Sequence, residues 1–297
     1  PFPKSWFFSC CDTVSQGGRG LLFLQSRFGH GYFFVRVKGR TMSGQRRLLG
    51  QCAIVTGAAG GLGEAIAKTL AREGASVAVT DINIQDAKRV ESEIQKSGGS
   101  SLAIQFDVTQ SRQVTEMVRQ VLDRWGAIDI LVNNAGGFKT FSPLFEIAEE
   151  EWDRVVAFNL KSVFLCCQAV SKHMMERRKG RIINIASRAG LAPSPGGPDS
   201  LPYGAAKAGV MGFARLLARE LGPYGITVNS ISPSTVLTER IIKLRDPESL
   251  KKIAEMAPLK HLVEPQDIAE AVLFLASDGA RSITGINLNV NSGNFMI

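Results

Sequence analysis

The sequence is poor in the residues that metal and disulfide chemistry require. Three histidines (His30, His173, His261) are scattered along 297 residues, so no ligand set at metal-binding spacing is expected. The five cysteines, Cys10, Cys11, Cys52, Cys166 and Cys167, are odd in number and form no C-x-x-C pair. That argues against a disulfide framework and for free thiols in a reducing compartment, so the expected location is cytoplasmic. Cys166 and Cys167, inside NLKSVFLCCQAV, read as small buried apolar residues. No apolar run approaches the ~20 residues of a membrane span, and no membrane partner is expected.

The net charge of +8 points to nucleic acid only until its origin is traced. Residues 1–41 hold six cations against Asp12, which is +5 of the total, and leave +3 for residues 42–297. Beyond residue 41 the longest basic run is Glu176-Arg177-Arg178-Lys179, which reads as the solvated end of a helix. No nucleic-acid partner is expected. Residues 1–41 also hold seven of the sixteen phenylalanines and show no sustained period. A basic, acid-poor leader of this kind is either an organelle transit peptide or upstream sequence. We read it as a non-native or disordered N-terminal extension, with a single working domain over residues 42–297 that begins at Met42.

From residue 50 the chain alternates strand and helix. Apolar strands are predicted at 52–56, 76–80, 102–106, 128–132, 181–186, 226–231 and 286–290. Helical spacing follows CAIVT and recurs over 85–97, 111–125, 152–178, 203–221 and 266–277. Strands that are apolar throughout and separated by helices form a parallel sheet covered on both faces. The expected fold is α/β: a Rossmann-type, doubly wound, seven-stranded parallel sheet, with ligands at the carboxyl ends of the strands.

The stretch after the first strand, Thr56-Gly57-Ala58-Ala59-Gly60-Gly61-Leu62-Gly63, opens a helix. Glycines there allow a tight turn and a close backbone approach to a pyrophosphate, which the helix N-terminus attracts. The second strand ends at Asp81, followed by Ile82. A carboxylate there accepts hydrogen bonds from both ribose hydroxyls and repels a 2′-phosphate, and no cation neighbours it in sequence, so NAD is expected rather than NADP. Asp107-Val108 after the third strand is placed to face the adenine. Asn133-Asn134-Ala135-Gly136 after the fourth suits a close passage by a ligand, although asparagine is also an ordinary turn residue.

Tyr203 and Lys207, four apart, share one helix face. A tyrosine pKa near ~10 makes a poor base at neutral pH, and an adjacent ammonium favours the phenolate. With TGAAGGLG, Asp81, NNAG, Asn159 in FNLKSVF, Ser187 after IINIA, and Pro233 and Thr238 in SPSTVLT, this ordered set resembles the short-chain dehydrogenase/reductase family, in its compact single-domain form, over roughly residues 48–297. The closest general likeness is to its 3-oxoacyl carrier-protein reductase-like members.

The resemblance implies interconversion of a secondary alcohol and a ketone by hydride transfer. Tyr203 would be the general base or acid, and Ser187 would bind the substrate oxygen. Lys207 would also bind the nicotinamide ribose, Asn159 would hold a water, and Thr238 would bind the nicotinamide carboxamide. Gly57, Gly61, Leu62, Gly63, Asp81, Ile82, Asp107, Val108, Asn134, Ala135, Gly136, Pro233 and Val236 complete the cofactor site. The helices 152–178 and 203–221 imply a homotetramer, with a dimer as the alternative. An NADP-linked 3-oxoacyl thioester reductase and a non-catalytic NAD-binding sensor are the rival functions.

Two departures from the family pattern stand out. Sixteen residues separate Ser187 from Tyr203, longer than usual, through PSPGGPDS at 193–200, which is expected to bulge beside the substrate pocket. Ser234 replaces a common glycine and is expected to be strained if its φ is positive. The substrate walls are expected to be Gly137, Phe138, Leu191, Ala192, Val236, Leu237 and a flexible stretch over 239–257. They suit an alcohol or ketone with a hydrophobic body, with Lys139, Arg188 and Lys243 candidates for an anionic tail.

Overall fold

The computed structural model describes residues 16–17, 21–28, 31–37, 46–194 and 199–296. The chain divides into two units, Pro1–Gln45 and Arg46–Ile297. In the first, β1 (Gln16–Gly17), β2 (Leu21–Phe28) and β3 (Gly31–Val37) form an antiparallel sheet in that order. The register pairs Leu22 with Val37 and Phe28 with Gly31. The sequence reading placed no strand in residues 1–41. LLFLQSRF and GYFFVRV are rich in the aromatic and branched residues that favour pleated backbone.

The second unit holds seven parallel strands: β4 (Cys52–Thr56), β5 (Ser76–Asp81), β6 (Ser100–Gln105), β7 (Ile130–Asn133), β8 (Gly180–Ile185), β9 (Ile226–Pro233) and β10 (Asn287–Val290). Their order is β10-β9-β8-β7-β4-β5-β6. In β4, Ala53 and Val55 face one layer while Cys52 and Ile54 face the other, and all are buried. The first layer is completed by α1 (Gly61–Arg72), α2 (Ile84–Lys96) and α9 (Pro265–Ala276), through Ile66, Leu70, Val90, Val272 and Leu273. The second is completed by α3 (Ser111–Trp125), α5 (Ser162–Arg177) and α6 (Leu201–Leu221), through Met117, Val163, Val170, Val210 and Met211. Each such buried side chain stabilises the fold by roughly 1.5–3 kcal/mol. The strand order reverses between β4 and β7, which opens a crevice at their carboxyl ends.

The helix predicted over 152–178 is interrupted. It begins as α4 (Glu149–Val156), passes through one π-helical turn at Ala157–Lys161, and continues as α5. In that turn the Ser162 N–H reaches back five residues to the Ala157 carbonyl. Over Glu149–Arg177 this rod is long and apolar enough, by length and composition, to cross a membrane. Here α5 packs on β7, β8 and α6 instead. Cys166 and Cys167 are buried free thiols on it, as read from the sequence, and burial pushes the Cys166 thiol up to about 12.

Two expectations fail in this unit. The run 176–179 is not simply solvated. Arg177 and Lys179 lie 3.1 and 3.2 Å from the buried carboxylate of Asp129 at the start of β7, and the Arg178 guanidinium donates to the Pro223 carbonyl. Burial pushes the Asp129 carboxyl up, but the Cys52 N–H and the two cations outweigh it and hold the group below its ordinary value. The stretch 239–257 is also helical, as α7 (Glu239–Leu244) and α8 (Pro247–Met256), capped by Thr238 and Asp246.

Candidate active site

The crevice is a cleft of about 1540 Å³ at the carboxyl ends of the strands. Its cofactor end is built by β4 and α1. Gly57 leaves β4 at φ +63°, a left-handed conformation that glycine tolerates without penalty. A Cβ on Gly63 would lie 2.6 Å from Asn134 Nδ2 and overlap the Gly57 carbonyl. Gly60 caps α1 without a side-chain hydrogen bond, so the first backbone N–H groups of the helix are left for a ligand. The turn is locked to β7: Asn134 Nδ2 donates to the Thr56 and Gly57 carbonyls at 2.9 and 3.0 Å, while Asn134 N and Ala135 N both donate to Thr56 Oγ1 at 3.0 Å.

Asp81 ends β5 and lines the cleft. Its Oδ2 accepts from Ala59 N at 3.1 Å and its Oδ1 from Asn83 N at 3.0 Å. The backbone thus aims the carboxylate and leaves each oxygen a lone pair. One cation unmarked by sequence proximity stands behind this turn. Arg89 donates to the Ala59 carbonyl at 3.0 Å but is held by Glu64 and Glu93 at 2.7 and 2.9 Å. Asp107 lines the cleft, with Oδ1 accepting from Thr109 N and Oγ1 of its own loop.

The chemical end is built by β8, α6 and the π-helical turn. Ser187 leaves β8, and its hydroxyl accepts from Ala189 N at 3.1 Å. α6 places Tyr203 and Lys207 on one face, with the Lys207 ammonium 5.6 Å from the centre of the Tyr203 ring. Lys207 Nζ donates to the Ile185 carbonyl at 2.7 Å and is 3% exposed. Burial pushes Lys207 down to about 8. Burial also raises the Tyr203 phenol, against the opposing pull of Ser187 and Arg240. The phenolate expected beside an ammonium is therefore not favoured by the chain alone.

Asn159 is fully buried one layer behind the cleft. Its Nδ2 donates to the Gly137 and Val155 carbonyls at 2.8 and 2.9 Å, and its Oδ1 accepts from Gly137 N at 2.8 Å. Both amide hydrogens are spent, leaving one oxygen lone pair for a water. A Cβ on Gly136 would lie 2.7 Å from Asn159 Oδ1 and 3.1 Å from Lys207 Nζ, so only glycine fits between them.

Gly57, Gly61, Leu62, Gly63, Asp81, Ile82, Asp107, Val108, Asn134, Ala135, Gly136, Ser187, Tyr203, Lys207, Pro233, Val236 and Thr238 all line this cleft. Thr238 also caps α7, its hydroxyl accepting from Ile241 N at 3.4 Å. Ser234 lines the cleft unstrained; the non-glycine residues with positive φ are, among the described residues, Arg178, Lys260 and Ser292. Of the expected substrate walls, Gly137, Phe138 and Val236 line the cleft, whereas Leu191 packs into the second core layer. Arg188 turns to its own loop, donating to the Ala192 and Pro193 carbonyls and to Ser194, which Asp199 then anchors. Residues 195–198 of the long insert lie outside the described residues. The sequence reading missed Arg240, whose guanidinium donates to the Phe138 carbonyl at 2.9 Å across 102 residues of chain.

Known proteins resemble this arrangement closely. The family described as enoyl-(acyl carrier protein) reductase matches residues 57–294. The 3-oxoacyl-(acyl-carrier-protein) reductase FabG of Staphylococcus epidermidis is 42% identical over 249 residues, covering 84% of this chain and 100% of that protein. The BbsD subunit of a hydroxy(phenyl)methylsuccinyl-CoA dehydrogenase of Thauera aromatica is 41% identical, covering 81% of this chain and 95% of that one. A 7α-hydroxysteroid dehydrogenase solved with NADH and 7-oxo glycochenodeoxycholic acid aligns with a TM-score of 0.79 at 36% identity, covering 84% of this chain and 96% of that chain.

Proposed function

The chain belongs to the short-chain dehydrogenase/reductase family, and from that premise we propose that it interconverts a hydrophobic secondary alcohol and its ketone with NAD(H), through Ser187, Tyr203, Lys207 and Asn159. At the coarser level it is an NAD(P)-dependent oxidoreductase acting on CH–OH and carbonyl groups. One observation carries the finer reading. Ser187 from β8 and the Tyr203–Lys207 pair from α6 line the same cleft as the glycine turn and Asp81.

The residues fit a dinucleotide. The uncapped N-terminus of α1 suits its pyrophosphate and Asp81 suits the adenosine ribose diol. Gly136, Lys207 and Thr238 remain for the nicotinamide side. When bound, the cofactor supplies the hydride acceptor or donor and, oxidised, a positively charged ring. The remaining work falls to the chain. Ser187 donates a hydrogen bond to the substrate oxygen and steadies the charge that develops there. Tyr203 takes the hydroxyl proton in oxidation and returns it in reduction. Lys207 passes protons between Tyr203 and a water accepted by the free lone pair of Asn159.

Asp81 favours NAD, since a 2′-phosphate would meet a carboxylate, and Arg89 is already neutralised by Glu64 and Glu93. The second reading, an NADP-linked reductase of 3-oxoacyl thioesters, is favoured by the FabG relative. Purified protein, mixed with NAD and a panel of secondary alcohols and hydroxyacyl thioesters, decides between them by the growth of reduced-nicotinamide absorbance. Faster turnover with NADPH on 3-oxoacyl thioesters would overturn the NAD reading.

We also infer a homotetramer or dimer in a reducing cytoplasm. Phe164 on α5 and Leu216 on α6 are exposed apolar residues on helices that a single sheet face does not need to bury. Sedimentation equilibrium reads the assembly, and a monomer would refute it.

A further inference from the structure

Arg240 stands on α7, and its single hydrogen bond to the Phe138 carbonyl uses one of five guanidinium N–H groups. The rest of the side chain is exposed and lines the cleft. Lys139 and Arg245 line it too, and among the described residues no carboxylate lies within ion-pair distance of these three cations. The nearby acids are already engaged. Glu239 pairs with Lys243 at 2.6 Å, and Asp246 caps α8 through Ser249 N and Oγ. A recess of about 460 Å³ beside the cleft is lined by Lys139, Glu239, Arg240, Lys243 and Leu244, three cations against one carboxylate.

The surface between this recess and the reacting group is apolar. The Phe138 ring lies 4.7 Å from that of Tyr203 and 5.0 Å from that of Phe141, centre to centre. A ligand with its reacting end at Tyr203 has rings along its body and unpaired cations beyond them. Concave apolar surface ending in a few convergent polar groups is how small-molecule sites fix orientation. A guanidinium fork matches the two oxygens of a carboxylate or phosphate better than an ammonium does.

We propose that Arg240, with Lys139 beside it, determines specificity by selecting an alcohol or ketone that carries a carboxylate or phosphate beyond its apolar body. This rests on the oxidoreductase reading for the reacting end alone. The charge of Arg240 also acts on Tyr203, pulling its phenol towards ionisation against burial, so the same side chain touches both specificity and reactivity.

The test is calorimetric titration of the NADH-loaded protein with 3-phenylpropionate, 2-phenylethyl phosphate and neutral 3-phenylpropanamide. At least one anion is expected to bind about tenfold tighter than the amide, the worth of one charge-assisted hydrogen bond. Arg240→Gln should erase that preference and Arg240→Lys should keep part of it, with melting curves showing that both variants fold. Whichever anion binds tighter names the tail. Equal affinities, no binding of any probe, or a preference that survives Arg240→Gln overturns the proposal. The probes carry no reacting hydroxyl, so failure of the oxidoreductase reading registers separately, as absent turnover across the alcohol panel.

Discussion

The two ends of the cleft are held by different numbers of contacts. At the cofactor end, two polar side chains clamp a tight turn: Asn134 donates to the Thr56 and Gly57 carbonyls, Asp81 accepts from Ala59 N, and Gly63 lies against the Gly57 carbonyl. At the substrate end, a side chain on a six-residue helix reaches across to one carbonyl, Arg240 to Phe138. At Gly63 the first end leaves no room for a methyl group. The second is exposed and joined by single contacts. An enzyme built this way keeps its cofactor chemistry constant while its substrate range varies with a few surface residues.

The largest effect should come where the ends meet. Tyr203→Phe removes the proposed proton carrier and should cut turnover by about 10²–10⁴-fold, while NADH fluorescence titration returns unchanged cofactor affinity. Retained turnover would show that proton transfer runs through another group. Gly63→Ala tests the rigidity of the cofactor end. Its methyl group has nowhere to go, and the overpacking should cost about 1–3 kcal/mol, read as a lower melting temperature together with weakened NADH binding. Unchanged binding would mean that the turn yields more than its contacts imply. Asp81→Ala should narrow the NAD to NADP ratio of kcat/KM by roughly tenfold, about one charge interaction of 1.4 kcal/mol. Phe141→Ala, at the pliant end, should raise KM only several-fold and leave kcat and NADH affinity alone.

Lys207 sharpens the contrast by costing stability. Its folded pKa lies near 8, depressed from 10.5 by burial. Below pH 8 it is charged in both states, and the fold bears the full cost of burying that charge. Between about pH 8 and 10.5 the folded chain holds fewer protons than the unfolded one, so stability rises with pH across that window. Lys207→Met should therefore abolish turnover yet raise the melting temperature at pH 7. The gain should shrink towards pH 10, and a pH-independent difference between the two melting curves would contradict the burial argument.

The cofactor end was legible in the sequence because its parts are local. A glycine turn, a strand ending in Asp81 and the NNAG corner each announce themselves within a few residues. Seven strands and their helices were legible for the same reason, from short apolar runs and amphipathic spacing. The substrate end was not. α7 and α8 fall in the stretch 239–257, expected to be flexible, although Thr238-Glu239 and Asp246-Pro247 carry the cap and first-turn residues that start helices. The clasp from Arg240 to Phe138 has no local signature, since it exists only once α7 is folded over the cleft. Nor does periodicity reveal that Arg177 and Lys179 turn inward to Asp129, because an ion pair of this kind depends on what stands opposite.

The π-helical turn at Ala157–Lys161 has a consequence for insertions and deletions. Such a turn is an α-helix with one residue added. Removing a single residue there would let α4 and α5 run on as one regular rod, each keeping the face it already buries. The protein would still fold, but Asn159 would no longer reach Gly137, and the amide that backs Lys207 would be lost. One extra residue, neutral to the architecture, thus separates a protein with this shape from one equipped to work, and a chain lacking it would pass every test of folding and fail the test of turnover.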